Sequence, residues 1–377
     1  MSPIPLSLYM HLPWCVRKCP YCDFNSHQAG AIIPESVYVD CLIKDLQSDL
    51  THYNVQRPLQ AIFIGGGTPS LFSANAIAKL LTAVDRHWGI AANTEITMEA
   101  NPGTAEQQRF IDYYHAGVNR LSLGIQSFAD DKLHVLGRIH CGNEAARAME
   151  MALNAGFTNI NLDLMYGLPQ QSIKQGLDDL QQATTLQPTH ISWYQLTLEP
   201  NTIFYKKPPR LPNDDVIFSL QQQGEQLLAN NNYQQYEISA YARPGQQCQH
   251  NLNYWQFGDY LGIGAGAHGK ITLTKNKMIR TRKVKQPKSY LQRNNPRVEE
   301  KIVDKKSIAF EYMLNALRLN TPVNLDNFSL RTNLTMEDIA TPLKHAEKKQ
   351  LICINNNTIE KTPLGQRFLN DLFSLFL

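Results

Sequence analysis

The chain has 377 residues, more than one hydrophobic core usually organises, so we expect one large domain and a smaller one. Its seven cysteines are too few for a disulfide framework, which favours reduced thiols and a cytoplasmic protein. The first fourteen residues carry no Lys or Arg, so no signal peptide is expected there. No apolar run approaches the roughly 18 residues of a membrane span, so we expect no stable membrane insertion. The net charge is +3, but residues 270–298 hold ten Lys or Arg and no acid, leaving 26 basic against 33 acidic side chains elsewhere. A general nucleic-acid binder is therefore not expected.

A strand predicted at 7–12 leads directly into three cysteines, Cys15, Cys19 and Cys22. Three thiolates at this spacing can hold three irons of a cubane 4Fe-4S cluster, whereas closed electron-transfer clusters are held by four cysteines. The fourth iron would stay open to a small chelating molecule. The alternative is a structural zinc site with His11 or His27 as fourth ligand, but zinc ligands usually come in pairs on two separated knuckles. The cluster is therefore the favoured interpretation.

Strand and helix patterns then alternate along the first half of the chain. Helices are predicted at 35–52, from the cap Ser73 to 88, up to Gly117, at 143–156 and at 172–186, and strands at 61–64, 95–99, 120–124, 160–165 and 190–197. Repeated strand–helix units imply a parallel sheet with right-handed crossovers. About six units are too few for a complete eight-fold barrel, so the predicted fold is α/β with an open or partial barrel.

Polar residues lie at the ends of these strands, where parallel sheets bind their ligands. The glycine run 65–67 and Thr68 follow the second strand, and glycine lets backbone amides approach a ligand closely. Glu99 closes the third strand, Gln126 follows the fourth and Asp163 lies on the fifth. Together, below a cluster loop, they predict a ligand pocket that Arg138 could complete by opposing a carboxylate.

A small separate unit is predicted from Ser307 onward. An apolar helix precedes a helix around 336–349, a hairpin at 351–361 and a last helix from Leu364, an order that resembles a winged helix. The last helix is too apolar to face phosphates, so we expect a lid packed over the barrel rather than a DNA-binding unit. The predicted division is a core at 1–240, an extension at 241–303 and a C-terminal unit at 304–377. The basic stretch 270–298 is either a solvated hairpin or a site for an anionic small molecule or acidic partner.

The remaining cysteines are scattered, and each is expected to be a small buried residue: Cys41, Cys141, Cys248 and Cys353.

In this order, YMHLPWCVRKCPYCDF, GGGTPS, MEANP, GIQSF, LGRIH and DLMYGLP resemble the anaerobic coproporphyrinogen oxidase branch of radical S-adenosylmethionine (radical SAM) proteins, over essentially the whole chain. The resemblance implies a partial (β/α)6 radical SAM barrel with the 4Fe-4S cluster and SAM at its top. It also implies the residues that contact SAM: Tyr9, Gly66, Gly67, Thr68, Glu99, Gln126, Arg138 and Asp163. Oxidases of this branch carry another cysteine two places after the third ligand, where this chain has Phe24.

A further motif, HNLNYW at 250–255, resembles the HNxxYW signature of haem chaperones related to that oxidase. A neutral imidazole suits haem iron, so His250 is the predicted ligand, and Tyr254 would share its helix face. Trp255 would add apolar area against a porphyrin. A packed core histidine is the alternative for His250.

The sequence therefore predicts a chaperone that binds haem and passes it to acceptor haemoproteins, with no catalytic residue assigned and a homodimer left open. The first alternative is a radical SAM enzyme, either an oxygen-independent coproporphyrinogen III oxidase or another porphyrin-modifying enzyme. The second is a zinc-stabilised binding protein without redox chemistry.

Overall fold

The computed structural model describes residues 4–104, 107–274 and 277–377, whose strands form three sheets of twelve, three and two strands. In chain order the strands are β1 Leu6–Leu12, β2 Trp14–Cys15, β3 His27–Gln28, β4 Leu59–Gly66, β5 Glu95–Ala100, β6 Arg120–Gln126, β7 Asn159–Tyr166, β8 His190–Gln195, β9 Gln234–Glu237, β10 Ala240–Ala242, β11 Asp259–Ile263, β12 His268–Thr274, β13 Lys277–Lys283, β14 Arg297–Ile302, β15 Val323–Asn324, β16 Ile352–Asn355 and β17 Thr358–Lys361.

The helices cover the large sheet and build most of the C-terminal unit. They are α1 Glu35–His52, α2 Ala74–His87, α3 Gln107–His115, α4 Asp130–Val135, α5 Gly142–Asn154, α6 Ile173–Thr185, α7 Ile203–Lys206, α8 Asp214–Asn230, α9 Gln249–Trp255, α10 Pro287–Leu291, α11 Lys305–Ala316, α12 Leu325–Thr332, α13 Ala340–Lys348, α14 Pro363–Arg367 and α15 Leu369–Ser374. Across the described residues, none of the helices is both long and apolar enough to span a membrane.

The large sheet has the order β14-β13-β12-β11-β1-β4-β5-β6-β7-β8-β10-β9. Its neighbours from β11 to β8 pair in parallel, and β6 is buried along its whole length, as parallel strands covered on both faces are. The predicted partial barrel of six strand–helix units is confirmed. The sequence pattern did not place β11, which adds a seventh parallel strand beside β1.

Local sequence signals determine where the helices of the barrel begin and which face they bury. Ser73 caps α2, since its side chain accepts the backbone N–H of Ala76 at 3.2 Å. Helix α1 buries Tyr38, Leu42 and Leu46, which recur every four residues and so lie on one face. The Tyr38 hydroxyl donates to the backbone oxygen of His11 at 2.8 Å and thereby ties α1 to the end of β1.

The C-terminal unit packs at the amino-terminal ends of the parallel strands. The Phe257 ring, just before β11, lies 5.5 Å from the ring of Tyr312 on α11, and the Arg318 guanidinium lies 4.3 Å from the ring centroid of Trp255 on α9. The unit therefore covers the end of the barrel that lies away from the cysteine loop. Of the four scattered cysteines expected to be buried, Cys248 is buried, Cys41 and Cys141 are half-buried, and Cys353 in the hairpin is exposed, so the expectation is wrong for Cys353 and only partly met for Cys41 and Cys141.

Much of the charge in the basic segment 270–298 is neutralised inside the fold. Lys270 and Lys283 are buried, which excludes a fully solvated hairpin. The ion pairs join the segment to acids from other elements: Lys270 with Asp259 at 2.7 Å, Lys283 with Asp49 at 2.8 Å, Arg297 with Asp49 at 2.7 Å, and Arg282 with Glu299 at 2.9 Å. Lys275 of this segment lies outside the described residues.

Candidate functional site

The three predicted cluster cysteines lie in one loop whose ends are paired by the short parallel strands β2 and β3. The backbone N–H of Ala29 donates to the carbonyl oxygen of Cys15 at 2.8 Å, which closes the base of the loop. On its far side, the Asn25 side chain donates to the carbonyl oxygen of Ala265 at 2.8 Å, in the turn after β11. The loop is therefore anchored at both sides before any metal is considered.

All three cysteines line a cavity of about 250 Å³ at the carboxyl ends of the parallel strands. Seven of the eight residues expected to contact SAM line the same cavity: Gly66, Gly67, Thr68, Glu99, Gln126, Arg138 and Asp163. The structure thus brings residues from four strand ends and from the cysteine loop to one place. Tyr9, the eighth, lies deeper in the barrel.

Arg17 and Arg138 line this cavity, and so do the two carboxyl groups of Glu99 and Asp163, for which we call it the acidic cavity. Strand register brings them together, because Glu99 pairs with Ser122 and Asp163 pairs with Gly124 on the strand between them. Burial raises the pKa of both carboxyl groups, and the Asp163 charge helps to raise the pKa of Glu99 to about 8. In the described part of the chain neither carboxylate has an ion-pair partner. A cationic ligand would offset their desolvation.

The glycine run after β4 allows the cysteine segment to pack against the strand end. A Cβ on Gly67 would lie 2.5 Å from the carbonyl oxygen of Trp14, and a Cβ on Gly66, which has a φ of +119°, would lie 2.6 Å from the His11 ring. Their backbone N–H groups already donate hydrogen bonds within the protein: Gly66 N to Glu99 Oε2 at 3.0 Å, Gly67 N to Leu12 O at 2.8 Å, and Thr68 N to Trp14 O at 2.7 Å. The glycines therefore serve packing, and their amides are not presented to a ligand as expected.

Arg138 reaches across the cavity to the cysteine loop. Its Nη1 donates to Cys19 Sγ at 3.7 Å, and its Nη2 donates to Asn101 Oδ1 at 2.6 Å and to the carbonyl oxygen of Gly124 at 2.7 Å. Its Nε is buried and has no hydrogen-bond partner among the residues described. Arg138 thus connects the loop to β6 and keeps one donor unused.

Gln126 closes β6 in an unusual backbone conformation, with a φ of +70°. Its Oε1 accepts the Tyr194 hydroxyl at 2.7 Å. Nine other described non-glycine residues also have a positive φ, so this conformation marks the turn at the end of β6, and it is the cavity lining that connects Gln126 with a ligand.

Tyr9 and His250 lie inside the barrel, towards its amino-terminal end. There the backbone N–H of Gln249 in α9 donates to Oε1 of Glu95, the first residue of β5, at 2.8 Å. The His250 ring centroid lies 5.1 Å from that of Phe63 and 6.3 Å from that of Tyr9. The α9 backbone therefore lies at the amino-terminal end, whereas the His250 ring reaches the barrel interior beside Tyr9, whose hydroxyl bonds to His11 below the cysteine loop.

The His250 side chain is chemically suited to act as a neutral ligand. Burial, with a smaller effect of the Arg120 charge, lowers the pKa of His250 to about 4, so the ring is neutral at pH 7. Its Nδ1 is buried and, within the described ranges, has no hydrogen-bond partner. An unpartnered imidazole nitrogen among aromatic rings is unusual for a purely structural histidine, because buried polar atoms are normally hydrogen-bonded.

The zinc alternative finds little support at His11. Its Nδ1 accepts the Tyr9 hydroxyl and its Nε2 donates to the carbonyl oxygen of Asn25, both at 2.9 Å, so both ring nitrogens are occupied. Over residues 4–104, 107–274 and 277–377, no three His, Cys, Asp or Glu side chains converge on a single ion position. A cubane differs, since it distributes its ligands over separate irons.

Sequence reasoning missed several residues of the cavity, including Ser122, Asn101 and Tyr194. Alternation along β6 could have found Ser122, because Ser122, Gly124 and Gln126 share a face in a period of two. Asn101 lies two residues after Glu99 in the MEANP motif, and its Nδ2 donates to Thr68 Oγ1 at 2.9 Å.

The family models that match the chain are the Radical SAM superfamily, over residues 9–183, and the HemN C-terminal domain, over residues 303–368. Among solved structures, coproporphyrinogen III oxidase (HemN) from Escherichia coli is similar, with a TM-score of 0.83 and 22% identity, covering 99% of this chain and 90% of that chain. Residues 9–183 therefore match the Radical SAM superfamily, and the whole chain shares its fold with the oxidase.

Curated relatives refine this class. Heme chaperone HemW from Haemophilus influenzae is 51% identical over 376 residues, which are 99% of this chain and 98% of the relative. Heme chaperone HemW from Escherichia coli is 49% identical over 373 residues, with 99% and 98% covered. The chain belongs to the HemW family.

Proposed function

We propose that this protein is a haem chaperone, which binds haem and transfers it to acceptor haemoproteins, on a scaffold that carries a 4Fe-4S cluster and SAM. The observation that carries the proposal is the relationship over nearly the whole length of both chains, at 51% and 49% identity, to proteins named Heme chaperone HemW. The likeness to the oxidase, at 22% identity, supports the fold alone.

Phe24 favours the chaperone over an oxidase. It lines the cavity of the cysteine loop and is 62% exposed, at the position where the oxidases that the sequence resembles carry a further cysteine. A phenyl ring offers no thiol for proton or hydrogen transfer. It does offer an apolar contact at the mouth of the cavity.

We assign the cluster to Cys15, Cys19 and Cys22. Arg138 would stabilise the Cys19 thiolate, since its Nη1 already donates to that sulfur. The Ser26 hydroxyl lies 3.6 Å from Cys22 Sγ and can donate to that thiolate in the same way. When bound, such a cluster supplies an open iron and one electron to the ligand on that iron.

We assign the acidic cavity to SAM, because the positive charge of its sulfonium group would balance the carboxylates of Glu99 and Asp163. The unused Nε of Arg138 is suited to the carboxylate of SAM. Gly66, Gly67, Thr68 and Gln126 would complete the site, as the resemblance implies. Tyr9 would act indirectly, because its hydroxyl is donated to His11, which in turn holds the cysteine loop through Asn25.

We assign haem binding to His250, with Tyr254 and Trp255 as packing partners. The support is the HNLNYW motif together with a neutral imidazole whose Nδ1 has no partner in the described structure. The rings of Tyr254 and Trp255 pack edge to face at 4.8 Å, which builds an aromatic surface on α9.

The proposed division into 1–240, 241–303 and 304–377 then separates cluster binding, haem binding and the C-terminal unit. We infer a cytoplasmic location because the thiols must stay reduced, and a homodimer stays a prediction.

The test is a haem titration of the anaerobically reconstituted protein, comparing His250→Ala with His268→Ala. His268, an exposed histidine at the start of β12, is the alternative candidate ligand and therefore the matched comparison. We expect His250→Ala to shift the Soret band and weaken haem binding, with iron, sulfide and SAM binding unchanged, whereas His268→Ala behaves as the wild type. If the two variants bind haem alike, His250 is structural. If coproporphyrinogen is converted to protoporphyrinogen with two deoxyadenosines formed per porphyrinogen, one for each propionate decarboxylated, the protein is an oxidase.

A further inference from the structure

A second cavity, of about 650 Å³, lies between the core sheet and the C-terminal unit, at the end of the barrel away from the cysteine loop. Its apolar wall comes from three parts of the chain: Ile4, Ile271, Met278, Val303, Ile308 and Leu334. The volume falls within the roughly 300–1,000 Å³ of small-molecule sites. Nothing in the proposed haem and SAM chemistry uses this cavity.

The polar wall of the cavity is cationic. Arg57, Lys277, Lys305 and Arg331 line it, and none of its described lining residues is Asp or Glu. Arg57 is paired with Asp259 at 2.8 Å. Among residues 4–104, 107–274 and 277–377, no ion pair is found for the other three cations.

The nearest carboxylate cannot neutralise them, because it is already saturated. Asp259 accepts from Lys270 Nζ at 2.7 Å, from Thr272 N at 2.8 Å and from Thr272 Oγ1 at 3.0 Å, besides its pairing with Arg57. Arg57 and Lys270 thus share one carboxylate, whose charge also favours the half-buried Arg331, although no ion pair of Arg331 itself is found in the described chain. Burial lowers the pKa of Arg331 more than the nearby Tyr312 and Asp259 raise it, so the partly desolvated cation stays incompletely balanced.

We propose that this cavity binds an amphipathic anion, a molecule with an apolar chain and one carboxylate, with the carboxylate on Arg331 and the chain against the apolar wall. A guanidinium can hold a carboxylate by two parallel hydrogen bonds, which suits Arg331 better than a lysine. A second haem site is disfavoured, because the described lining contains no His or Cys to bind iron. The hydroxyl of Tyr53, which also lines the cavity, already donates a hydrogen bond to Glu300 at 3.0 Å. The proposal does not depend on the proposed haem function.

The test is isothermal titration of the full-length protein with decanoate below its micellar concentration. Acetate provides the headgroup alone, 1-decanol the chain alone, and decyltrimethylammonium the opposite charge. We expect one decanoate per chain, bound more tightly than any of the three comparison compounds. Arg331→Gln should weaken decanoate binding about tenfold or more, since a charge-assisted hydrogen bond is lost.

The matched control is Arg293→Gln, which removes the same charge from an exposed position outside the cavity and should leave the affinity unchanged. Lys305→Gln, at an exposed position on the cavity rim, provides a second test should the Arg331 variant melt early, and it should weaken binding several-fold. The proposal is overturned if decanoate binds no better than 1-decanol or decyltrimethylammonium, if several molecules bind per chain, or if both cavity variants keep the wild-type affinity.

Discussion

The two ends of the barrel differ in the charged groups that line their cavities, since only the carboxyl-end cavity contains acids among the described residues. At the carboxyl ends of the strands, the cavity of the cysteine loop contains two carboxyl groups without ion-pair partners in the described chain, which favours a cationic ligand. At the amino-terminal ends, the cavity beneath the C-terminal unit is lined by cations and by no acid among the described residues, and α9 inserts His250 between aromatic rings. One fold therefore offers two electrostatically distinct binding regions, which can be tested separately.

The two ends also differ in how they are assembled. Most residues of the carboxyl-end cavity lie in the cysteine loop or on, or just after, a strand of the alternating pattern, so motifs and the strand-end rule predict where many of them lie. The amino-terminal end combines residues near Ile4, Arg57, Met278 and Arg331, whose proximity depends on β11 to β13 and on the docking of the C-terminal unit. No local pattern carries that information.

The largest expected effect is loss of the cluster, and it is confined to the carboxyl end of the barrel. Cys19→Ala should abolish the cluster, because a cubane held by two cysteines leaves two irons without protein ligands. Iron and acid-labile sulfide measure the loss. Cys41→Ala is the matched control, since Cys41 lies on α1, outside the cysteine loop, and this variant should retain the full cluster. Wild-type iron and sulfide in Cys19→Ala would contradict the cluster assignment.

A smaller effect concerns the packing that holds the cysteine segment. Gly67→Ala places a Cβ 2.5 Å from the backbone oxygen of Trp14, which cannot move without displacing the segment. We expect a loss of about 2–3 kcal/mol in the free energy of unfolding and impaired cluster incorporation. Gly30→Ala is the control, because a Cβ at Gly30 meets nothing within 4 Å. Equal melting temperatures for the two variants would show that the segment is free to shift.

Gly66 illustrates what the sequence could and could not predict. The pattern correctly placed the glycines after a strand and beside the ligand cavity. It could not reveal that their amides are donated to Glu99 and to the β1 segment, because that depends on how closely the cysteine segment approaches. A valine at Gly66 would therefore collide with His11 and disturb the fold, rather than only fill a ligand site.

Charge patterns were the least predictable from the sequence. Residues 270–298 contain no acid, yet Lys283 is buried against acids of α1 more than 200 positions earlier in the chain. The sheet order, which puts β13 near α1, is a tertiary property. Strand and helix positions were predicted better, because period, caps and glycine stops are local.

A moderate effect tests the acidic cavity. Asp163→Asn removes one charge and keeps an oxygen for the Ser122 hydroxyl, which donates to Asp163 Oδ2 at 2.8 Å, but it loses the acceptor for Asn161 Nδ2 at 2.9 Å, so the melting temperature is measured as well. We expect SAM binding to weaken about tenfold, with cluster content unchanged, by equilibrium dialysis. Asp178→Asn, on the exposed face of α6, is the matched control and should bind SAM as the wild type does. Unaltered affinity in Asp163→Asn would remove the acidic cavity from SAM binding.

The smallest expected effect is a pH dependence of SAM binding at the carboxyl end. Burial and the Asp163 charge raise the pKa of Glu99 to about 8, so in the ligand-free protein this carboxyl group is mostly protonated at pH 7. A cationic ligand favours the ionised form, and binding below pH 8 must therefore release a proton. Affinity should fall roughly fivefold from pH 8 to pH 7, because the ionised fraction of Glu99 falls by that factor.

Glu99→Gln should lose this pH dependence while retaining any titration of SAM itself, which makes the variant the internal control. Asp163→Asn should shift the dependence to lower pH, since removing the neighbouring charge lowers the pKa of Glu99. An identical pH profile in the wild type and Glu99→Gln would mean that Glu99 does not face the cation.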